Sequence, residues 1–122
     1  MSQPTPRRVL FVCRQNRKRS ATAERLFCKR EDLDVRSAGT AADALVRVNG
    51  NMLDWAEVIF VMDDDQRRWL ESAFANHPSL ARVVCLDIPD VFTFLQPELV
   101  RLLEERVPPH LAADSEGAAG QA

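Results

Sequence analysis

The chain has 122 residues, about the length of one domain of roughly 100–150 residues, with 46% apolar and 28% charged residues. These fractions exclude a disordered chain, and no apolar run approaches the roughly 18 residues of a membrane-spanning helix. The start, MSQPTPRR, lacks the apolar stretch of a secretory signal, so we expect a cytoplasmic protein.

The charged residues are distributed unevenly. Residues 1–36 contain 10 Lys or Arg and 4 Asp or Glu, whereas residues 37–122 contain 6 and 14. The basic part is therefore a candidate anion-binding region. The three cysteines, an odd number, argue against a disulfide framework and predict free thiols.

Short apolar runs alternate with helical patterns along the chain. We predict strands at 9–12, 34–38, 58–62 and 82–86, and helices that begin at Ser20, at Asp63 to Asp65 and at Gln96 or Pro97. The first run, VLFV, is continuous and partly β-branched, which is typical of a strand buried on both faces. The alternation predicts a three-layer, doubly wound α/β fold with a four-stranded parallel sheet and helices on both faces. Any ligand is expected at the carboxyl ends of the strands.

The ordered domain is predicted to span residues 7–107. Residues 1–6 are short and polar with two prolines, and residues 108–122 begin with two prolines and are poor in large apolar side chains. We expect both ends to be disordered.

The loop after the first predicted strand reads CRQNRKRS, from Cys13 to Ser20, and leads directly into a helix. Such a turn can point successive backbone N–H groups at a tetrahedral dianion. Arg19 offers paired donors to two phosphoryl oxygens, which Lys18 cannot do. The same groups stabilise a thiolate, so Cys13 is the candidate nucleophile and Ser20 a donor to its sulfur. Asn16 tolerates the left-handed conformation that a tight loop without glycine needs.

Cys28 and Cys85 are interpreted as buried structural cysteines. Both lie in apolar patterns, and neither has an arginine six residues later, as Cys13 does.

Four loop residues match the pattern cysteine, two residues, asparagine, two residues, arginine, serine: Cys13, Asn16, Arg19 and Ser20. The loop resembles that of the low-molecular-weight protein tyrosine phosphatases, in particular a compact bacterial branch of predicted phosphatases. Further similar segments are Ala21-Thr22-Ala23-Glu24, Ser37-Ala38-Gly39-Thr40, Met62-Asp63 with Gln66, and Ile88-Pro89-Asp90-Val91-Phe92. The resemblance covers about residues 8–107 and implies a strand order of 2-1-3-4.

The resemblance implies a two-step hydrolysis of a phosphomonoester. Cys13 attacks phosphorus, an aspartate protonates the leaving oxygen, and the same aspartate then activates water against the cysteinyl phosphate. Asp90 is the expected acid because it fills the family's acid position after the fourth strand, and Asp87 is the alternative. Ser37 is implied to hydrogen-bond Asn16 and hold the loop open.

The implied ligands follow from this loop. The residues expected to contact phosphate are Arg14, Gln15, Asn16, Arg17, Lys18, Arg19 and Ser20. We expect a phosphorylated protein or small phosphoester as substrate, inorganic phosphate or other oxyanions as ligands, and no metal or other cofactor. Nucleic acid is not expected as a partner, because Phe11 and Phe27 lie in core-like positions rather than on a stacking surface. A membrane is not expected either, because no apolar run is long enough to span one.

The sequence also departs from the family pattern. Lys18 stands where typical members have a second cysteine, so their neighbouring disulfide cannot form. Val91, after the expected acid, replaces a proline. Arg14, Arg17 and Lys18 make the loop more basic than usual. Of these, Arg17 and Lys18 favour acidic flanks or a polyanionic substrate.

Other functions share parts of this pattern. Thioredoxin-coupled arsenate reductases need two further cysteines a short way apart, but Phe92 stands seven residues after Cys85 and no cysteine follows it. A phosphocarrier must keep its phosphoryl group, which Arg19 and a nearby aspartate argue against. A non-enzymatic phosphate- or RNA-binding module would use the basic surface of residues 7–36.

Overall fold

The computed structural model describes residues 5–111 of the chain. In chain order, these residues form β1 (Arg7–Cys13), α1 (Arg19–Phe27), β2 (Leu33–Gly39), α2 (Gly50–Trp55), β3 (Val58–Val61), α3 (Asp64–Ala73), a 3-10 helix (Pro78–Arg82), β4 (Val83–Cys85) and α4 (Pro97–Arg106).

The strands form one parallel sheet in the order β2-β1-β3-β4. The apolar run of β1 is fully buried from Val9 to Val12, and β3 is buried along its whole length. Continuous apolar sequence suits these two strands because helices cover both of their faces. The predicted α/β fold, its parallel sheet and its strand order are confirmed.

Successive side chains of β1 enter two different hydrophobic cores. Phe11 packs on one face of the sheet and stacks on Phe27 of α1 with ring centroids 5.8 Å apart. Leu10 and Val12 pack on the other face with Leu70 of α3. Because side chains alternate along a strand, one apolar run supplies both cores and gives the three-layer arrangement.

Two short helical segments were absent from the sequence prediction. In α2, the side chain of Asn49 accepts a hydrogen bond from the backbone N–H of Met52 at 3.0 Å. In the 3-10 helix, Nδ1 of His77 accepts one from the N–H of Ser79, also at 3.0 Å. Both segments are too short to give a clear helical period, so only their caps carry a signal.

The predicted domain boundary at residue 107 is wrong for the next four residues. Residues 108–111 add a helical turn, in which Leu111 is only 6% exposed and the ring of His110 lies 5.9 Å from that of Phe60. Proline is tolerated in the first turn of a helix, so the two prolines start this turn rather than end the domain. The remainder of the predicted disordered ends, at 1–4 and 112–122, lies outside the described residues.

No helix within residues 5–111 is long and apolar enough to cross a membrane. The carboxyl ends of the parallel strands meet at one edge of the sheet, where β1 ends at Cys13 and β2 at Gly39. The loops that follow β3 and β4 lie at the same edge, which therefore positions the candidate site.

We predict that Leu111→Ala lowers the free energy of unfolding by about 2 kcal/mol, because it removes a buried side chain from the core. Leu45→Ala is the matched control, since Leu45 is 64% exposed and its loss should cost less than about 0.5 kcal/mol. Urea denaturation measures both values. Equal, small effects would contradict the packing of residues 108–111.

Candidate active site

Cys13 ends β1 with its sulfur inside the loop that follows. The residue is 3% exposed, and its Sγ lies 2.9 Å from Oγ of Ser20 and accepts a hydrogen bond from the backbone N–H of Asn16 at 3.2 Å. Two groups of the same loop thus face one sulfur atom, an arrangement that stabilises a thiolate.

The loop backbone is held from outside by the segment that follows β2. The N–H groups of Thr40, Ala41 and Leu45 donate to the carbonyls of Cys13, Arg14 and Gln15 at 3.0, 2.8 and 3.0 Å. In a trans peptide the N–H points away from its carbonyl, so these bonds turn the next three N–H groups toward the loop interior. The bond from the third of them, at residue 16, to Sγ shows this orientation directly. The result is a ring of donors suited to an oxyanion.

Two backbone features permit this close approach. Asn16 has a φ of 60°, the left-handed conformation that the loop sequence predicted. At Gly39, a Cβ atom would lie 2.6 Å from the carbonyl oxygen of Arg14 and 2.7 Å from Cβ of Ala44. Only a glycine lets β2 pass the loop at this distance.

A buried network links the loop to β2 and α1. Nδ2 of Asn16 donates to Oγ of Ser20 at 2.9 Å and to Oγ of Ser37 at 2.8 Å, the contact that the family resemblance implies. Ser37 in turn donates to the carboxylate of Glu24. Both amide hydrogens of Asn16 are used, and Ser20 accepts one of them. The single hydroxyl hydrogen of Ser20 then has two acceptors in reach, the sulfur of Cys13 at 2.9 Å and the Ala38 carbonyl at 3.4 Å, of which the sulfur is the nearer. The participation of Glu24 was not predicted.

Arg19 is 2% exposed and fixed on one side of its guanidinium group. Nη1 donates to Oδ2 of Asp63 at 2.7 Å and to the carbonyl of Ile88 at 2.8 Å. These two bonds use both hydrogens of Nη1. The Nε–Nη2 edge remains available for bidentate binding of two oxygens in the adjacent cavity.

Asp63 has two roles in the structure, of which the sequence predicted one. Its Oδ1 accepts a hydrogen bond from the N–H of Asp65 at 2.9 Å, and Gln66 completes a capping box, as expected of a helix-start residue. Its other oxygen holds Arg19, a contact that the sequence prediction missed. The available signal was its position two residues after β3, at the same edge of the sheet as Cys13.

A cavity opens above the sulfur, with an empty volume of about 240 Å³ that includes its open mouth. It is lined by Cys13, Arg14, Gln15, Arg17, Lys18, Arg19 and Asp90. The side chain of Asp90 is half exposed, with Oδ1 3.8 Å from Nε of Arg19. The structure thus brings one of the two candidate acids into the cavity.

Asp87 lies in a different environment. It lines a separate cavity with Arg106 and His110, and its Oδ1 accepts a hydrogen bond from Sγ of Cys85 at 3.4 Å. Its backbone carbonyl accepts a hydrogen bond from Arg106 at 2.7 Å. Asp87 is therefore not among the described residues that line the Cys13 cavity.

The cations of the loop other than Arg19 face outward. Arg14, Arg17 and Lys18 are exposed, and Arg17 donates to the backbone carbonyl of Asp43 at 3.2 Å. These three residues contribute backbone N–H groups and a positive electrostatic field to the cavity, and none of them places a buried side chain in it. Residues 5–111 contain no group of three His, Cys, Asp or Glu side chains that could hold a metal ion.

The other two cysteines do not face Cys13. Cys28 is exposed at the carboxyl end of α1, contrary to the prediction that it is buried. Cys85 is half-buried and packs against the core on the opposite face of the sheet from that of Cys13. Burial raises the pKa of the Cys85 thiol, which makes it a poor nucleophile at neutral pH.

Comparison with known proteins identifies the fold. No protein-family model matches the chain, and no curated protein matches its sequence. The structure is similar to that of the YwlE arginine phosphatase from Geobacillus stearothermophilus, with 19% identity, a TM-score of 0.67, and coverage of 89% of this chain and 95% of that one. The chain has the fold of the low molecular weight protein tyrosine phosphatases.

Two further structures support this assignment of the fold. A low molecular weight phosphotyrosine phosphatase from Vibrio cholerae O395 is 20% identical, with a TM-score of 0.69 and coverage of 90% of this chain and 97% of that one. A YwlE variant with a phosphorylated active-site serine is 18% identical, with a TM-score of 0.60 and coverage of 80% and 91%. In this phosphatase fold, the loop residues that carry the resemblance converge on the sulfur of Cys13.

We predict that Gly39→Ala weakens binding of inorganic phosphate at least tenfold, which corresponds to a loss of about 1.4 kcal/mol of binding free energy. The added Cβ would displace the backbone of the anion loop. The same variant should lose about 1–3 kcal/mol of stability through overpacking. Isothermal titration and thermal unfolding measure the two effects.

Gly50→Ala is the matched control, because Gly50 lies in α2 and a Cβ there would meet its nearest neighbour, the ring of Phe74, at an ordinary contact distance of 3.9 Å. We expect it to leave phosphate affinity unchanged and stability equal or slightly higher. A Gly39→Ala variant that binds phosphate as tightly as the parent would refute the loop geometry.

Proposed function

We propose that this chain is a cysteine-dependent phosphomonoester hydrolase that works through a cysteinyl-phosphate intermediate. The observation that carries the proposal is that Ser20 and the Asn16 N–H contact the sulfur of Cys13, and that Cys13 lines one cavity together with Arg19. The phosphatase fold supports it, as does the related YwlE structure whose active-site serine is phosphorylated.

The phosphoryl group would bind in the loop before any bond changes. Inward N–H groups and the free Nε–Nη2 edge of Arg19 would receive its oxygens. The anchors of this guanidinium group, Asp63 and the Ile88 carbonyl, fix it in place before the substrate arrives. Such preorganised donors stabilise the charge that develops in the transition state.

In the first step, the thiolate of Cys13 attacks phosphorus and the bond from phosphorus to the leaving oxygen breaks. The Ser20 hydroxyl stabilises the sulfur as it attacks, and again when it leaves. The chain Glu24, Ser37, Asn16 directs the hydroxyl hydrogen of Ser20 toward that sulfur.

Asp90 is our choice as general acid and base. Protonated, it gives its proton to the leaving oxygen; as a carboxylate it then takes a proton from the water that attacks the cysteinyl phosphate. That second attack releases inorganic phosphate and restores the thiolate of Cys13. Asp90 lines the cavity, whereas Asp87 lines another one and bonds to Cys85.

Other functions have less support. A reductase relay would need a second thiol near Cys13, but Cys28 is exposed at the far end of α1 and the side chain of Cys85 packs on the opposite face of the sheet. A base-stacking nucleic-acid module would need exposed aromatic rings in the basic region, where Phe11 and Phe27 are both buried. We propose phosphorylated proteins or small phosphoesters as substrates and phosphate as the product, within a cytoplasmic protein.

Cys13→Ser is expected to lower turnover of para-nitrophenyl phosphate at least roughly a thousandfold, because the serine hydroxyl is not ionised at neutral pH. Binding of phosphate or vanadate should persist, since the loop donors remain. Cys28→Ser, which changes an exposed thiol, is the control and should retain full activity. Activity that survives in Cys13→Ser would sink the proposal.

Asp90→Asn is expected to slow an alkyl phosphate, which has a poor leaving group, by roughly 10²–10⁴-fold. It should affect para-nitrophenyl phosphate far less, because that leaving group needs little protonation. Asp87→Asn is the matched variant and should change neither rate greatly. If the leaving-group dependence appears in Asp87→Asn instead, the assignment of the acid is wrong.

A further inference from the structure

The side chain of Asp90 has few contacts that fix its position. Its carboxylate lies 3.8 Å from Nε of Arg19, which is beyond hydrogen-bond distance, and the side chain is half exposed. Within the described part of the chain, residues 89–92 form no backbone–backbone hydrogen bond. The place of Asp90 in the cavity therefore depends on how the chain is held just before it, at residues 86–88.

Residues 86–88 are held on one side by the sheet. The N–H of Leu86 donates to the carbonyl of Val61 at 2.9 Å, and the N–H of Ile88 donates to the carbonyl of Met62 at 2.7 Å. The side chains of Leu86 and Ile88 are buried in the core into which α4 also packs. The sheet thus satisfies two donors of this segment, whereas its three carbonyls are bound by side chains.

Two arginines bind these three consecutive carbonyls. Nη1 of Arg106 donates to the carbonyl of Leu86 at 2.8 Å and to that of Asp87 at 2.7 Å. Nη1 of Arg19 donates to the carbonyl of Ile88 at 2.8 Å. Arg19 belongs to the anion loop, whereas Arg106 comes from the last turn of α4. The acid segment is therefore held by side chains from two separate helices.

The two bonds from Arg106 fix the backbone conformation of Asp87. The carbonyls of Leu86 and Asp87 belong to the two peptide planes that flank the Asp87 Cα, so one nitrogen that binds both carbonyls restrains the rotation between these planes. Asp87 has a φ of 56°, the left-handed conformation that residues other than glycine adopt only rarely. Arg106 therefore stabilises the turn from which the chain continues to Asp90.

An arginine near the end of a helix commonly has a local role. It can bind the last carbonyls of its own helix or interact with the helix dipole. Arg106 is half-buried, and it gives both hydrogens of Nη1 to carbonyls that lie 20 and 19 positions earlier in the chain. These contacts are not those of a helix cap, so they need another explanation.

We propose that Arg106 is a positioning residue for the general acid. By holding the peptide planes around Asp87, it sets the path of residues 88–90 and keeps the Asp90 carboxylate in the Cys13 cavity. Arg106 lines a different cavity, so it acts through the backbone and not on the substrate. The inference rests on the proposed function, in which Asp90 protonates the leaving oxygen.

The test compares an alkyl phosphate, whose leaving group needs the acid, with para-nitrophenyl phosphate, whose leaving group needs it little. We expect Arg106→Met to lower the ratio of the first kcat to the second roughly tenfold, a part of the roughly 10²–10⁴-fold that a positioned acid contributes. A general loss of folded protein would lower both rates together and leave their ratio unchanged. An unchanged ratio in Arg106→Met would overturn the inference.

Arg101→Met is the matched control, because it removes the same charge from an exposed position of the same helix that binds none of the three carbonyls. It should keep the ratio of the parent. An equal fall of the ratio in both variants would indicate only the lost charge and would overturn the inference.

Combination with Asp90→Asn shows whether Arg106 acts through the acid. In the Asp90→Asn background, Arg106→Met should lower the ratio no further, because the group that it positions is already absent. A second tenfold fall in the double variant would mean that Arg106 acts on something other than Asp90, and the inference would be wrong.

Asp87→Val tests the turn with the arginine left in place, and it serves even if Arg106→Met does not fold. A β-branched residue adopts the left-handed conformation with difficulty, so the ratio of the two rates should fall as it does in Arg106→Met. Asp87→Asn adopts this conformation readily and should keep the ratio of the parent. A parental ratio in Asp87→Val would contradict the role of the turn.

Failure of the proposed function gives a different result from failure of this inference. If the parent hydrolyses neither phosphate, hydrogen exchange of the backbone amides in residues 86–92 still reports whether Arg106 holds this segment. Faster exchange in Arg106→Met than in the parent and in Arg101→Met supports the positioning role, whereas equal exchange in all three proteins overturns it.

Discussion

The three hydrogen bonds from the segment after β2 to the carbonyls of the Cys13 loop determine the orientation of almost every other group in the site. Thr40, Ala41 and Leu45 turn those carbonyls outward, and the peptide planes then turn the N–H groups inward. Cys13, whose sulfur contacts the Ser20 hydroxyl, and Arg19 both line the cavity enclosed by these N–H groups. This arrangement requires a glycine at position 39, because any side chain there would push the Cys13 loop and the segment after β2 apart.

Much of this arrangement could be predicted from local sequence. The continuous apolar run from Val9 to Val12 predicted a central strand, because a strand that is buried on both faces has apolar residues at every position instead of at alternate ones. The loop from Cys13 to Ser20 predicted an anion site, because the cysteine, arginine and serine that such a site needs all lie within this one short segment. The fold prediction succeeded for the same reason: strand and helix periods are short-range patterns.

Contacts between residues far apart in sequence were not predictable in this way. The pair between Arg19 and Asp63 spans 44 positions, and Asp63 also had an adequate local explanation as a helix cap. Asp87 and Asp90 are three residues apart and chemically alike, yet the left-handed backbone of Asp87 and its contact with Cys85 direct it to another cavity. The predicted domain boundary at residue 107 was wrong because one side chain, Leu111, is buried in the core although its segment has few large apolar residues.

The placement of the three cysteines bears on how this chain tolerates oxidants. If Cys13 becomes a sulfenic acid, a disulfide needs a second thiol with its Cα within roughly 7 Å. Cys28 lies beyond the nine residues of α1, roughly 13 Å of helix, and the Cys85 side chain points to the opposite face of the sheet. Lys18, beside Arg19, offers no sulfur. Rescue of the oxidised sulfur therefore depends on a thiol from another molecule that is slim enough to enter the cavity mouth.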